Sequence, residues 1–179
     1  MTTEMWIIAA VRLLGALPVL RWPFYGAIVA LLVDQSDLFM MNLLHLGGVD
    51  DYQTFDKYLD QAYLLTFLSV ALRWSGIERN VSIALYVYRL VGFIAFELTE
   101  SRWLLLAFPN FFEPWFIIIA ADHQFGLRFR FSTLQLSAVA AALAVLKVFQ
   151  EFAIHQQRWL DSFTAVETVE AIWNFLTPF

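Results

Sequence analysis

The chain has 179 residues, 60% of them hydrophobic, with a net charge of −5 and a mean hydropathy of +0.64. A soluble domain of this length cannot bury that much apolar surface, so composition points to an integral membrane protein. The absence of cysteine excludes disulfides, thiolate metal sites and cysteine nucleophiles. The lysines are Lys57 and Lys147 alone, and no basic patch offers a surface for nucleic acid.

Six apolar segments are expected in chain order, at about 5–20, 23–46, 55–74, 81–98, 103–121 and 134–153. Each is close to the ~20 residues a helix needs to cross a bilayer. They are continuous runs rather than the short alternating segments of a barrel, so the expected fold is all-α: a polytopic bundle of about six transmembrane helices over residues 1–154. The first segment begins after Met1-Thr2-Thr3-Glu4, which carries no Lys or Arg, and so reads as a retained span rather than a cleaved signal. Arg12 and Pro18 interrupt it. Pro109 and Pro114 should kink the fifth segment and free backbone carbonyls. The small-residue run at 137–142 in the sixth allows close helix approach, within the bundle or in a homodimer. Residues 155–179 place Trp159, Phe163, Val166, Val169, Trp173 and Leu176 at helical spacing, expected as an amphipathic helix in the interface that docks on the bundle or on another subunit.

Charged residues inside these segments are the exceptions that need a reason. Asp34 and Asp37 are three apart and Asp56 and Asp60 are four apart, so each pair shares one helix face. If the two segments run antiparallel about Gly47-Gly48, Asp37 and Asp60 each lie roughly 11 to 12 residues from the turn and at similar depth. A charge at bilayer depth costs from about 3 to over 10 kcal/mol. Converged carboxylates must therefore share a metal ion, share protons or line a water-filled cavity. As hard oxygen ligands they suit Mg2+, Mn2+ or Ca2+. Arg12 lies about as far before the first turn as Asp34 lies after it, which makes a buried Arg12–Asp34 pair the purely structural alternative. Arg89 and Glu113 are each mid-segment and are expected to pair. His45, His123 and His155 fall near segment ends, where hydrogen bonding at the interface is their expected role.

The four aspartates, with Arg12 and Pro18 upstream, resemble the CDP-alcohol phosphatidyltransferase family over residues 5–75. That family's signature reads D-x-x-D-G-x-x-A-R, eight residues, then G-x-x-x-D-x-x-x-D. Asp34, Asp37, Asp56 and Asp60 match its aspartates, with a gap one residue longer. Leu38, Met41, Asn42 and Tyr52 stand where the family has Gly, Ala, Arg and Gly. The resemblance implies a six-helix membrane enzyme of phospholipid metabolism. It would transfer a phosphoalcohol from a CDP-linked donor, with Asp34, Asp37, Asp56 and Asp60 on Mg2+ or Mn2+ and Asp60 as general base. The four departures remove room for a nucleotide and a charge for its phosphate, and imply instead a non-catalytic structural or assembly subunit of a larger membrane complex on the same scaffold. Both readings carry forward, with membrane lipids as the expected surroundings.

Overall fold

The computed structural model describes residues 2–44, 52–99, 104, 107–127, 145 and 173. All described elements are helical. The first, α1, spans Thr3–Ala16, and Thr2 Oγ1 caps it by accepting from the Met5 amide at 3.2 Å. Pro18 tightens the chain into a 3-10 turn over Leu17–Leu20, and Pro23, which has no amide hydrogen to leave unpaired, begins α2 at Pro23–Gln35. This tight connection folds α2 back on α1. Gly26 permits the turn, since a Cβ there would lie 2.3 Å from the Val19 nitrogen.

The second apolar segment is not one helix. α2 ends at Gln35 and α3 covers Asp37–Leu44, with Ser36 between them. The Ser36 hydroxyl donates to the Val33 carbonyl at 2.7 Å, competing with the helical pattern at that turn. α4 covers Tyr52–Ala71 and α5 covers Gly76–Thr99. The fifth segment breaks as expected at its first proline. The chain leaves helical geometry at 108–111, and α6 then runs Phe112–Phe125 with Pro114 tolerated in its first turn.

Helices α1 to α6 pack around two apolar layers. The larger joins Ala27 and Ala30 of α2 to Leu64 and Phe67 of α4, Tyr86 of α5 and Phe112 and Phe116 of α6. Phe67 stacks on Phe116 at 4.2 Å between centroids, and Trp74 stacks on Phe116 at 5.1 Å. The smaller layer gathers Ile8, Ala9 and Phe55 with Met5, Met40, Met41 and Leu59.

Two helical stretches, Thr3–Leu20 and Gly76–Thr99, are long and apolar enough to cross a membrane. The expectation of six such spans is not met among the described residues, and the reasons are local. Ser36 divides the second segment, Asp56, Lys57 and Asp60 charge the third, and the break at 108–111 interrupts the fifth, after which α6 has only 14 residues. The expected sixth segment and the C-terminal amphipathic helix lie outside the described residues, apart from the single helical positions Val145 and Trp173.

The distribution of polarity is inverted on α5. Ser82, Tyr86, Arg89, Gly92 and Phe96 face inward, while Val87, Val91, Ile94 and Leu98 are exposed. Trp6, Leu14, Trp22 and Leu32 extend the exposed apolar surface onto α1 and α2. Four charged side chains, Glu4, Arg12, Asp37 and Arg89, are buried.

Candidate functional site

Arg12, one turn before the end of α1, is the centre of the charged region. Its Nη1 donates to Asp37 Oδ2 at 2.9 Å and to Asp56 Oδ1 at 2.8 Å. Its Nη2 donates to Asp60 Oδ1 at 2.8 Å and pairs with Asp34 Oδ1. One guanidinium thus meets all four aspartates that the sequence singles out, drawn from α2, α3 and α4. The spacing explains how: Asp56 and Asp60 are one turn apart on α4, and the turn at Ser36 keeps Asp34 and Asp37 on the side facing α1. The planar fork of arginine supplies the donor directions that a single ammonium could not.

The Arg12–Asp34 pair expected from the sequence is present, as one contact of four. Two further cations flank the group. Lys57 Nζ lies 3.4 Å from Asp56 Oδ2, and Arg89 Nη2 lies 4.0 Å from Asp60 Oδ2. The site is closely enclosed. The Arg12 side chain is 3% exposed and that of Asp37 1%, with Asp56 the most accessible of the four carboxylates at 23%. Hydrogen bonding inside it is incomplete. Arg12 Nε, Asp34 Oδ1, Asp37 Oδ1 and Arg89 Nε are buried with no hydrogen-bond partner among the described residues. Orphaned groups of this kind are costly in a low-dielectric interior.

The carboxylates also fit a cation. One oxygen each from Asp34, Asp56 and Asp60 lie within 4.8 Å of one another, close enough to hold a metal ion. Oxygen donors without imidazole or thiolate select hard ions such as Mg2+, Mn2+ or Ca2+. Asp37, the fourth aspartate of the sequence reading, falls outside that group.

A second polar group lies further along α4. Tyr63, three residues beyond Asp60, donates its hydroxyl to Glu113 Oε2 at 2.9 Å, and Asn110 Nδ2 donates to the same oxygen at 3.1 Å. Asn110 Oδ1 in turn accepts from the Glu113 amide at 3.3 Å, so Asn110 closes the start of α6. The expected Arg89–Glu113 pair is not formed. Arg89 instead donates to the Phe108 carbonyl at 2.9 Å and faces Asp60. The cause is the break before α6, which turns the Phe108 and Ala107 carbonyls toward α5, where Arg89 and the Tyr88 hydroxyl take them. Glu113 is left to Tyr63 and Asn110.

The sequence reading missed Tyr63 and did not join Arg89 to the aspartates. Helical spacing carried a signal for Tyr63, since Asp56, Asp60 and Tyr63 share one face of α4. Of the histidines, His123 lies near the end of α6, 2.8 Å from Glu78 and stacked on Trp74. His45 and His155 lie outside the described residues. Of the four positions that depart from the resemblance, Met41 packs into the layer of Ile8, Ala9 and Phe55, and Tyr52 opens α4. The side chains of Leu38 and Asn42 lie outside the described residues. Compared with known proteins, the chain matches no family model, no curated protein and no solved structure.

Proposed function

We propose that this chain is a polytopic integral membrane protein built on a scaffold similar to that of the CDP-alcohol phosphatidyltransferases. Its aspartates serve as the counter-charge of Arg12, and its role is non-catalytic, as a structural or assembly subunit among membrane lipids. The observation that carries this reading is the contact of one guanidinium with all four carboxylates. Arg12 offsets one of the four charges, and Lys57 and Arg89 lie against Asp56 and Asp60, so most of the charge is met by the chain's own cations. Two further features support it. Met41 fills space where the family has alanine, and α1, α2 and α5 expose many large apolar side chains while Glu4, Arg12, Asp37 and Arg89 are buried. That inversion suits a lipid surrounding, where an outward charge is the costly one.

A second reading has its own support in the approach of Asp34, Asp56 and Asp60 to within 4.8 Å. In it the chain is a divalent-metal-dependent phosphoalcohol transferase. Asp34, Asp37, Asp56 and Asp60 hold Mg2+ or Mn2+, which would supply electrophilic activation and charge neutralisation at a pyrophosphate. Asp60, held from both sides by Arg12 and Arg89, would take the proton of the incoming alcohol.

One experiment separates the two. The chain reconstituted in liposomes with a CDP-linked lipid donor, an acceptor alcohol and Mn2+ is assayed for CMP release, beside Asp60→Asn. The non-catalytic reading expects no release above the variant. Turnover that disappears in Asp60→Asn overturns it in favour of the transferase.

A further inference from the structure

One end of the bundle gathers several helix ends. The 3-10 turn that follows α1 finishes there at Leu20, α4 finishes at Ala71, and α5 starts at Gly76. Arg73 Nη1 donates to the Leu20 carbonyl at 3.3 Å, which ties the two connections together. α6 finishes at the same end, where His123 meets Glu78 and Phe125 packs edge-on against Phe24 and Tyr25 of α2. Both stretches that are long and apolar enough to cross a membrane reach it, Thr3–Leu20 by its last residue and Gly76–Thr99 by its first.

The charges of this end are unlike those elsewhere. Arg21, Arg73 and Arg79 are exposed, and among the described residues no other Arg or Lys and no Asp or Glu is. None of the three meets a carboxylate among the described residues. The acids of this end, Glu78 and Asp122, are half-buried, and Glu78 is held by His123 at 2.8 Å. Lys57, toward the other end, is half-buried against Asp56. Local structure does not account for the arginines. Arg79 stands in the first turn of α5, where the helix dipole disfavours a cation. Arg21 directly follows the 3-10 turn, with Trp22 and Tyr25 exposed beside it. Arginine at the end of an apolar helix, next to exposed Trp and Tyr, is the arrangement suited to a headgroup layer. There the guanidinium finds phosphate, and the rings lie between water and acyl chains. A zwitterionic headgroup brings its own cation with its phosphate, whereas an anionic one offers the net negative charge that three arginines without an acid call for.

We infer that this end of the bundle, through Arg21, Arg73 and Arg79, is a binding surface for the headgroups of anionic phospholipids. This rests on the reading of the chain as an integral membrane protein given above. It is independent of turnover and of what the aspartates hold.

The test is lipid selectivity. The full chain is reconstituted in phosphatidylcholine vesicles carrying a trace of spin-labelled phosphatidylglycerol or spin-labelled phosphatidylcholine, and electron paramagnetic resonance reads the fraction of label that the protein immobilises. Wild type is compared with Arg21→Gln plus Arg79→Gln and with Arg21→Lys plus Arg79→Lys, all of which keep the contact of Arg73 with Leu20. Wild type should immobilise phosphatidylglycerol in preference to phosphatidylcholine. The glutamine variant should lose roughly fivefold or more of that preference, and the lysine variant, which keeps the charge, should retain most of it. Salt at about 1 M should weaken the wild-type preference, because the screening length falls to about 3 Å. Equal immobilisation of the two lipids by wild type, or a preference that the glutamine variant keeps, overturns the inference. So does a preference that inorganic phosphate removes and chloride of equal ionic strength does not, which would assign the arginines to a free anion. If the double glutamine variant does not reconstitute, Arg21→Gln alone decides on the same terms. Wild-type chain that does not float with the vesicles overturns the membrane reading itself, an outcome distinct from incorporation without lipid preference.

Discussion

The charged layer around Arg12 and the aromatic layer around Phe67 are built on the same helices, yet they are held by different physics. α4 contributes Asp56 and Asp60 to the first and Phe67 to the second within a few turns. In the aromatic layer, attraction is spread over many weak contacts among Phe67, Phe112, Phe116 and Trp74. Loss of any one group leaves a cavity and little else. In the charged layer a single group serves four partners, and its loss leaves four carboxylates with only Lys57 and Arg89 against them. The first region degrades in proportion to what is removed. The second fails at one residue.

Substitution at Arg12 is the sharpest way to test that contrast. Arg12→Met should destabilise the chain by about 3 to 5 kcal/mol, the range for breaking a buried pair from one side, as measured by thermal or denaturant unfolding in detergent. Adding Asp60→Asn should recover part of that loss, because it removes one of the uncompensated anions. The two changes should therefore be non-additive by roughly 0.5 to 3 kcal/mol. In the aromatic layer Phe116→Ala should cost about 3 kcal/mol, and no second substitution that lowers charge should restore it. A milder effect from Arg12→Met than from Phe116→Ala would dissolve the distinction between the layers.

Smaller effects refine it. Gly92 lies where a Cβ would come within 2.2 Å of the Phe108 Cβ, so Gly92→Ala should push the 108–111 break away from α5 at a cost of about 1 to 3 kcal/mol. Because Arg89 reaches the Phe108 carbonyl across this contact, the change should loosen both layers and so measure how far they are coupled. At the outer end of α6, His123 and Glu78 are 2.8 Å apart, with the histidine half exposed. Glu78→Gln should shift stability by less than about 1 kcal/mol, and added salt should erase the difference. The same ion-pair chemistry thus has opposite consequences outside the bundle and within it.

Much of the local structure was legible because its causes are local. Pro18, Pro23 and Pro109 mark the first turn and the break before α6, since each lacks an amide hydrogen and fixes its own backbone. The shared face of Asp56 and Asp60 follows from helical periodicity alone. The break at Ser36 was not legible, because serine in an apolar helix either pairs with a carbonyl one turn back or disrupts the turn, and neighbours decide which. Arg89 was assigned the wrong acid for a related reason. Depth along a helix can be counted, but the Phe108 carbonyl became an acceptor only once the chain had broken beside it.

From the sequence alone came the helical class, the apolar composition and the convergence of carboxylates from two segments. All three depend on composition and on the 3.6-residue repeat, which each stretch of chain carries by itself. Only the tertiary structure decided which cation meets those carboxylates. The contacts of Arg12 with Asp37, Asp56 and Asp60 span 25, 44 and 48 residues of sequence. They depend on how α1, α3 and α4 are rotated about their own axes when they pack, and the period of a helix fixes which residues share a face but not which neighbour that face will turn toward.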